Sequence, residues 1–135
     1  MFELPTLSIK SLNQRFSGDE WPLFNDIVVN DEQIEIQLSI SDDLSFFAGH
    51  FPGQPVLPGI VQIHWAGELA KFILGLDGFM ALKNIKFNSM VLPSSQLKLV
   101  LKYNQEKQTL RFDYSSESEK RSNGVFVFST NQGAS

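Results

Sequence analysis

Residues 59–74 constrain the fold more than any other segment, because they predict a helix with almost no polar side. The segment contains no proline and no strict alternation, and it is long enough for about four helical turns. Its apolar residues cover most of the helical circumference: Ile60, Val61, Ile63, Trp65, Ala66, Leu69, Ala70, Phe72, Ile73 and Leu74. A helix of this kind is normally buried, so the rest of the chain is expected to wrap around it.

Several segments outside this helix carry patterns typical of strands. In residues 33–40, isoleucine and leucine alternate with polar residues, which indicates a strand with one buried face. Residues 97–114 alternate in the same way on both sides of a polar break at residues 104–107, which predicts a hairpin. Residues 83–87 and 125–128 are further predicted strands, and the Ser/Glu/Lys-rich stretch 115–124 is predicted to be turn-like. One buried helix with an antiparallel sheet is an α+β architecture.

The length of 135 residues, with 42% hydrophobic residues, suits one core and therefore one domain. We expect residues 1–20 to be an N-terminal lead-in, residues 21–130 the single domain, and residues 131–135 a frayed tail. The 12 phenylalanines are assigned to the core.

Composition argues against several classes of function. A net charge of -4 makes a nucleic-acid-binding protein unexpected. The absence of cysteine excludes disulfides, thiolate metal sites and a thiol nucleophile, and no zinc-ligand spacing or glycine-rich phosphate motif is present. No cofactor and no metal are therefore expected. The first residues lack the pattern of a signal peptide, and no apolar run approaches the ~20 residues of a membrane span, so a cytoplasmic protein without membrane insertion is expected.

The helix is preceded by an unusual segment, GHFPGQPVLPGI, at residues 49–60. Its prolines, Pro52, Pro55 and Pro58, recur every third residue and stiffen the backbone. Gly59 then starts the helix, where free amide groups and the helix dipole favour negative charge. The segment therefore predicts a rigid loop beside an oxyanion site.

Both histidines of the chain, His50 and His64, lie in this loop or in the first turns of the helix. His64, Glu68 and Lys71 are spaced so that they form one polar line along the helix. A purely structural interpretation, a solvated stripe with a Glu68–Lys71 pair, stays open beside a catalytic one.

Four lysines on the predicted strands also have two interpretations. They are solvated side chains, or they form a surface on which an acidic carrier protein docks. They are Lys83, Lys86, Lys98 and Lys102.

The string GHFPGQPVLPG at residues 49–59 resembles the signature of the FabA/FabZ-type 3-hydroxyacyl-acyl-carrier-protein dehydratases of fatty-acid synthesis. The resemblance continues at Trp21-Pro22 and at residues 45–47, 85–87 and 91–97, and so covers roughly residues 21–128. It implies a hot-dog fold, in which a sheet wraps one long helix. It also implies a homodimer whose two active sites each draw residues from both subunits.

The resemblance implies the dehydration of a 3-hydroxyacyl thioester to the trans-2-enoyl thioester, on an acyl carrier protein or coenzyme A. His50 matches the base, and an imidazole can take up and return a proton near neutral pH. The amide of Gly59 matches the group that polarises the thioester, and the carbonyl of Val56 matches the group that orients the histidine. Phe51 and Pro58 are expected to line the substrate site.

The acid of the reaction departs from the family pattern, because His64 stands where the family has Asp or Glu, fourteen positions after His50. Three interpretations stay open. His64 donates the proton as an imidazolium, or Glu68 donates it as a carboxylic acid. In the third, the chain is a non-catalytic or partner-dependent subunit that binds acyl thioesters.

The segment Gln-Ile-x-Trp-Ala at residues 62–66 is similar to the dehydratases of aryl-polyene pathways, the ApeI-like branch. This similarity implies that the substrate is a carrier-bound acyl chain on its way to a conjugated polyene. The apolar helix and the phenylalanines are compatible with an elongated acyl tunnel of any fatty chain.

Overall fold

The computed structural model describes residues 8–30, 33–47, 56–117 and 119–128. Within them the chain forms two α-helices, one short 3-10 turn at Ser45–Phe47 and six strands. The helices are α1 (Ile9–Arg15) and α2 (Gly59–Leu74). The strands are β1 (Leu23–Val29), β2 (Gln33–Ser39), β3 (Phe79–Phe87), β4 (Gln96–Asn104), β5 (Thr109–Ser116) and β6 (Glu119–Phe128).

All six strands belong to one antiparallel sheet with the order β1-β2-β4-β5-β6-β3. The inner face of the sheet packs on α2, whose residues Trp65, Ala66, Leu69 and Ala70 are completely buried. This is the α+β arrangement of the hot-dog fold, so the expected fold class is confirmed. None of the helices within the described ranges has the length and apolar character that crossing a membrane requires.

The alternation of residues in β2 and β4 produces the core directly. Ile36 pairs with Leu99, which pairs in turn with Tyr114 on β5, and all three side chains point to the buried face. Each such side chain contributes roughly 1.5–3 kcal/mol when it is fully removed from water. Strand pairing therefore places a continuous apolar surface under α2.

Three expectations from the sequence are wrong in detail. Residues 115–124 are mostly strand, because β5 and β6 continue to the pair Ser116↔Glu119, with one register shift after Tyr114. Phe72 and Phe87 are exposed instead of core, with 55% of Phe87 accessible. The helix α2 also has an exposed side, since Ile60 is 69% accessible.

The helix α1 lies within the predicted lead-in and was not expected from the sequence. Ser8 and Ser11 form a capping box at its start, and Leu12 is buried in the main core. Asn13 both donates to the carbonyl of Phe24 and accepts from its amide, each at 3.0 Å. The Asn13 carboxamide therefore occupies hydrogen-bonding groups of the edge strand β1, which otherwise would be open to another strand.

Candidate active site

The start of α2 opens into a cleft of about 610 Å³. One wall is the chain entering the helix, residues 56–60, and the other is residues 87–90 after β3. Three residues of the predicted site, Val56, Pro58 and Gly59, line this cleft. His50 and Phe51 lie outside the described residues, so their predicted roles remain predictions.

Backbone geometry leaves amide groups available at the helix start. Pro58 is the N-cap and has no side-chain hydrogen bond. Its carbonyl accepts from the amides of Val61 and Gln62, at 3.1 and 3.3 Å. Among the described residues, the amides of Gly59 and Ile60 have no hydrogen-bond acceptor, and they carry the positive end of the helix dipole.

The ring of Phe87 lies against the α-carbon of Gly59. A Cβ at residue 59 would overlap the Cε1 and Cζ atoms of that ring. A glycine allows this close approach and keeps the amide accessible from the cleft.

The direction of the Val56 carbonyl follows from a hydrogen bond on the same peptide group. The amide of Leu57 donates to the carbonyl of Val91 at 2.8 Å. Because this peptide is trans, the Val56 carbonyl points away from Val91. Leu57 is thus anchored to the segment before β4.

A buried polar cluster lies under the cleft and centres on Gln62, which is 3% accessible. The Gln62 side chain donates from Nε2 to the carbonyl of Leu57 at 3.3 Å and accepts at Oε1 from the hydroxyl of Ser122 at 2.6 Å. The Tyr114 hydroxyl donates to the backbone carbonyl of Gln62 at 2.7 Å. Burial raises the pKa of the Tyr114 phenol far above its usual range, so this hydroxyl stays a donor.

A second groove, of about 290 Å³, runs along α2 and shares Ile60 with the cleft. Its wall includes Ile63, Gly67, Leu82 and Phe126. A Cβ on Gly67 would lie only 3.2 Å from Cζ of Phe126, so the glycine keeps the groove open at this point. The groove has the apolar lining that an acyl chain requires.

The predicted polar line of His64, Glu68 and Lys71 forms the rim of this groove. Glu68 and Lys71 make the ion pair that the structural interpretation predicted, with 3.7 Å between Oε2 and Nζ. Both side chains are partly exposed, so the pair contributes little to stability. His64 instead packs on Trp21, with ring centroids 5.5 Å apart.

Sequence analysis missed two residues of this site, Gln62 and Trp21. Gln62 had a visible signal, because it is a polar residue on the buried side of an apolar helix. The contact between Trp21 and His64 had none, because it joins residues that are distant along the chain.

The comparisons with known proteins point to dehydratases. Residues 26–125 match the model of a family described as ApeI-like, ApeI dehydratase. The 3-hydroxyacyl-acyl-carrier-protein dehydratase FabZ of Novosphingobium aromaticivorans is 38% identical over 86 residues, which are 56% of this chain and 54% of that protein. The chain therefore spans about half the length of the curated relatives it matches.

Two solved structures are similar over nearly their whole length. The dehydratase heterocomplex ApeI:P from Xenorhabdus doucetiae matches with a TM-score of 0.76 and 28% identity, over 82% of this chain and 99% of that chain. An uncharacterized protein from Erwinia carotovora subsp. atroseptica matches with a TM-score of 0.70 and 34% identity, over 83% and 98%. The fold is thus that of a dehydratase structure.

Proposed function

Because the chain belongs to the ApeI-like dehydratase family, we propose that it converts a 3-hydroxyacyl thioester into the trans-2-enoyl thioester. The single observation that supports this function is the start of α2, where Gly59 lines a cleft that shares Ile60 with an apolar groove. The amide suits a thioester oxygen, and the groove suits the acyl chain. Acyl carrier protein is the proposed carrier, as in the name of the FabZ relatives.

The reaction breaks the C–H bond at C2 and the C–O bond at C3, forms the double bond between them and releases water. His50 removes the proton from C2, and negative charge develops on the thioester oxygen. The Gly59 amide stabilises that charge, which is the kind of interaction that contributes most to such steps. The Val56 carbonyl orients the imidazole of His50.

We assign the acid, which protonates the leaving hydroxyl, to His64. This side chain is on the groove rim and its ring is held by Trp21. An imidazolium at this distance from an indole ring lies within cation–π range. The Glu68 carboxylate faces the Lys71 ammonium instead, which makes it the weaker candidate.

We further propose that two copies assemble so that each site combines residues of both subunits. The strand β3 is an edge of the sheet, and the exposed side chains of Ile60, Leu82 and Phe87 lie on the surface beside it. A second subunit would cover the groove and exclude water from it.

A second candidate function is that of a partner-dependent subunit that binds acyl thioesters. The observation that favours it is His64 at the family's acid position, together with the likeness to a heterocomplex of dehydratases. In this case a different chain supplies the acid.

The test is the hydration of trans-2-enoyl thioesters on acyl carrier protein. The reaction is monitored by the loss of absorbance of the conjugated double bond. Purified protein is expected to catalyse it, and His50→Ala is expected to abolish it while the melting temperature is retained. Turnover only after addition of a second dehydratase chain would support the partner-dependent subunit. Release of free thiol would show a thioesterase and reject the proposed reaction.

A further inference from the structure

We infer that Gln62 is a positioning residue. It holds the thioester-polarising amide of Gly59 in place through the Leu57–Pro58 peptide. This inference rests on the proposed function, because it assigns a role within the same site. Gln62 itself lies under the cleft and need not touch the reacting atoms.

The first step of the argument is the cost of burying Gln62. A carboxamide in the interior is unfavourable unless both of its polar atoms are paired, and an aliphatic residue would pack there without that requirement. Gln62 is 3% accessible and pairs both atoms, with Leu57 on one side and Ser122 on the other. Its presence on an otherwise apolar side of α2 therefore indicates that the hydrogen bonds it makes have a role.

The second step is what its hydrogen bond to Leu57 controls. The Leu57 carbonyl belongs to the peptide that joins Leu57 to Pro58, and the ring of Pro58 fixes φ near -60°. With φ of Pro58 near -60° and its ψ at 145°, the direction of the Leu57 carbonyl sets where the next amide, that of Gly59, points.

The third step is that Leu57 is held at both ends. Its amide is bound by the carbonyl of Val91, and its carbonyl is bound by Gln62. Ser122 on β6 in turn fixes the Gln62 side chain through a bond of 2.6 Å. The Gly59 amide is thus connected to the sheet by a chain of hydrogen bonds, which gives the rigidity that an oxyanion donor needs.

The test compares Gln62→Met with the double variant Gln62→Met/Ser122→Ala. The single variant keeps the volume but leaves the buried Ser122 hydroxyl unpaired, and the double variant removes that hydroxyl as well. If the single variant does not fold, the double variant serves in its place. Asn13→Ala is the control, because it also removes two hydrogen bonds, which are partly buried, but these lie at the opposite edge of the sheet, on β1.

Two quantities are measured. The first is the hydration rate, for which kcat is expected to fall about tenfold with KM nearly unchanged, since a donor is displaced and not removed. The second is the infrared stretch of the labelled thioester carbonyl in trans-2-octenoyl-coenzyme A bound to the His50→Ala protein. The Gly59 amide is expected to lower this frequency. The Gln62 substitutions, introduced into the same His50→Ala protein, are expected to return the frequency toward its value in water.

The outcomes separate the two proposals. An unchanged carbonyl frequency in the Gln62 variants, or an equal shift in Asn13→Ala, overturns the positioning role and leaves the dehydratase proposal intact. Carbonyl polarisation that depends on Gln62 in the His50→Ala protein, together with a wild-type protein that never turns over, contradicts only the dehydratase proposal. A His50→Ala protein with Gln62 intact that does not polarise the thioester overturns both.

Discussion

The indole ring of Trp21 packs against the imidazole of His64, with centroids 5.5 Å apart and planes inclined by 38°. Trp21 is itself held between Phe16, at 4.6 Å, and Trp65, at 6.4 Å. The chain before β1 thus reaches across to the helix and restrains a histidine on its exposed side. This contact connects the N-terminal part of the chain to the proposed acid.

Replacement of Trp21 by leucine is expected to lower kcat for dehydration by about three- to tenfold, because misplacement of a catalytic group weakens proton transfer. KM should stay within about twofold of the wild-type value, because Trp21 does not line the groove. Trp21→Phe keeps an aromatic ring beside His64 and serves as the control. Equal kcat in the leucine and wild-type proteins would contradict a role for this contact.

Comparison of His64→Ala with Glu68→Gln assigns the acid. We expect His64→Ala to lower kcat by about 10²–10³, the usual contribution of a general acid, and Glu68→Gln by less than about threefold. Lys71→Gln breaks the same ion pair from the other side and controls for its loss. The reverse order would assign the acid to Glu68. Small losses in both variants would reject both residues and favour the partner-dependent subunit.

We predict that Lys86 contacts the proposed acidic carrier protein. It is exposed on β3 next to Phe87 and Asn88 of the cleft wall, and it pairs across the sheet with Asn123. We expect Lys86→Glu to raise KM for carrier-bound substrates about fivefold or more at low salt, and the effect should shrink as salt screens the charges.

Lys102→Glu is the matched control, because Lys102 lies on β4, three strands away in the sheet. It should leave KM unchanged. KM for coenzyme A substrates should be unchanged in both variants. A rise in KM for coenzyme A substrates as well would show that Lys86 affects the cleft and not the carrier.

We expect the buried phenol of Tyr114 to make the protein less stable in alkali. Burial raises the pKa of its phenol above the ordinary value of 10.0. The folded protein therefore keeps a proton that the unfolded chain loses. The contribution of Tyr114 is complete below about pH 10, and it falls by up to about 1.4 kcal/mol for each pH unit above it.

Urea unfolding at pH 8 and pH 11 measures this difference. Tyr114→Phe is expected to be less stable than wild type by about 1 kcal/mol at pH 8, because one buried hydrogen bond is lost. Its further loss at pH 11 should be smaller than that of wild type, whereas Tyr103→Phe should behave like wild type. The same pH dependence in the Tyr114→Phe and wild-type proteins would refute the assignment.

Several elements were predictable because their pattern is local. The helix at residues 59–74 was expected at the observed limits, since no proline interrupts this mostly apolar segment and Gly75 adopts the left-handed conformation that ends it. The strand β2 and the β4–β5 hairpin followed from alternation. The strand ends between Ser116 and Ser122 were not predictable, because polar residues there are held by pairing with the neighbouring strand.

The helix α1 was also not predictable from its local sequence, since a seven-residue helix is not stable without packing against the rest of the protein. Its stabilising contacts are the burial of Leu12 and the bonds from Asn13 to Phe24. None of these is visible as a period in the sequence.

For the site, the sequence alone showed which groups are available: a proline-rich segment with His50, a glycine at the start of a helix, and a histidine where the family has an acid. Only the tertiary structure shows which of these groups are restrained by contacts and which residues make those contacts. Val91, Ser122 and Trp21 lie far along the chain from the residues that they restrain. Such contacts depend on the packing of strands against a helix, and this packing leaves no local periodicity from which they can be read.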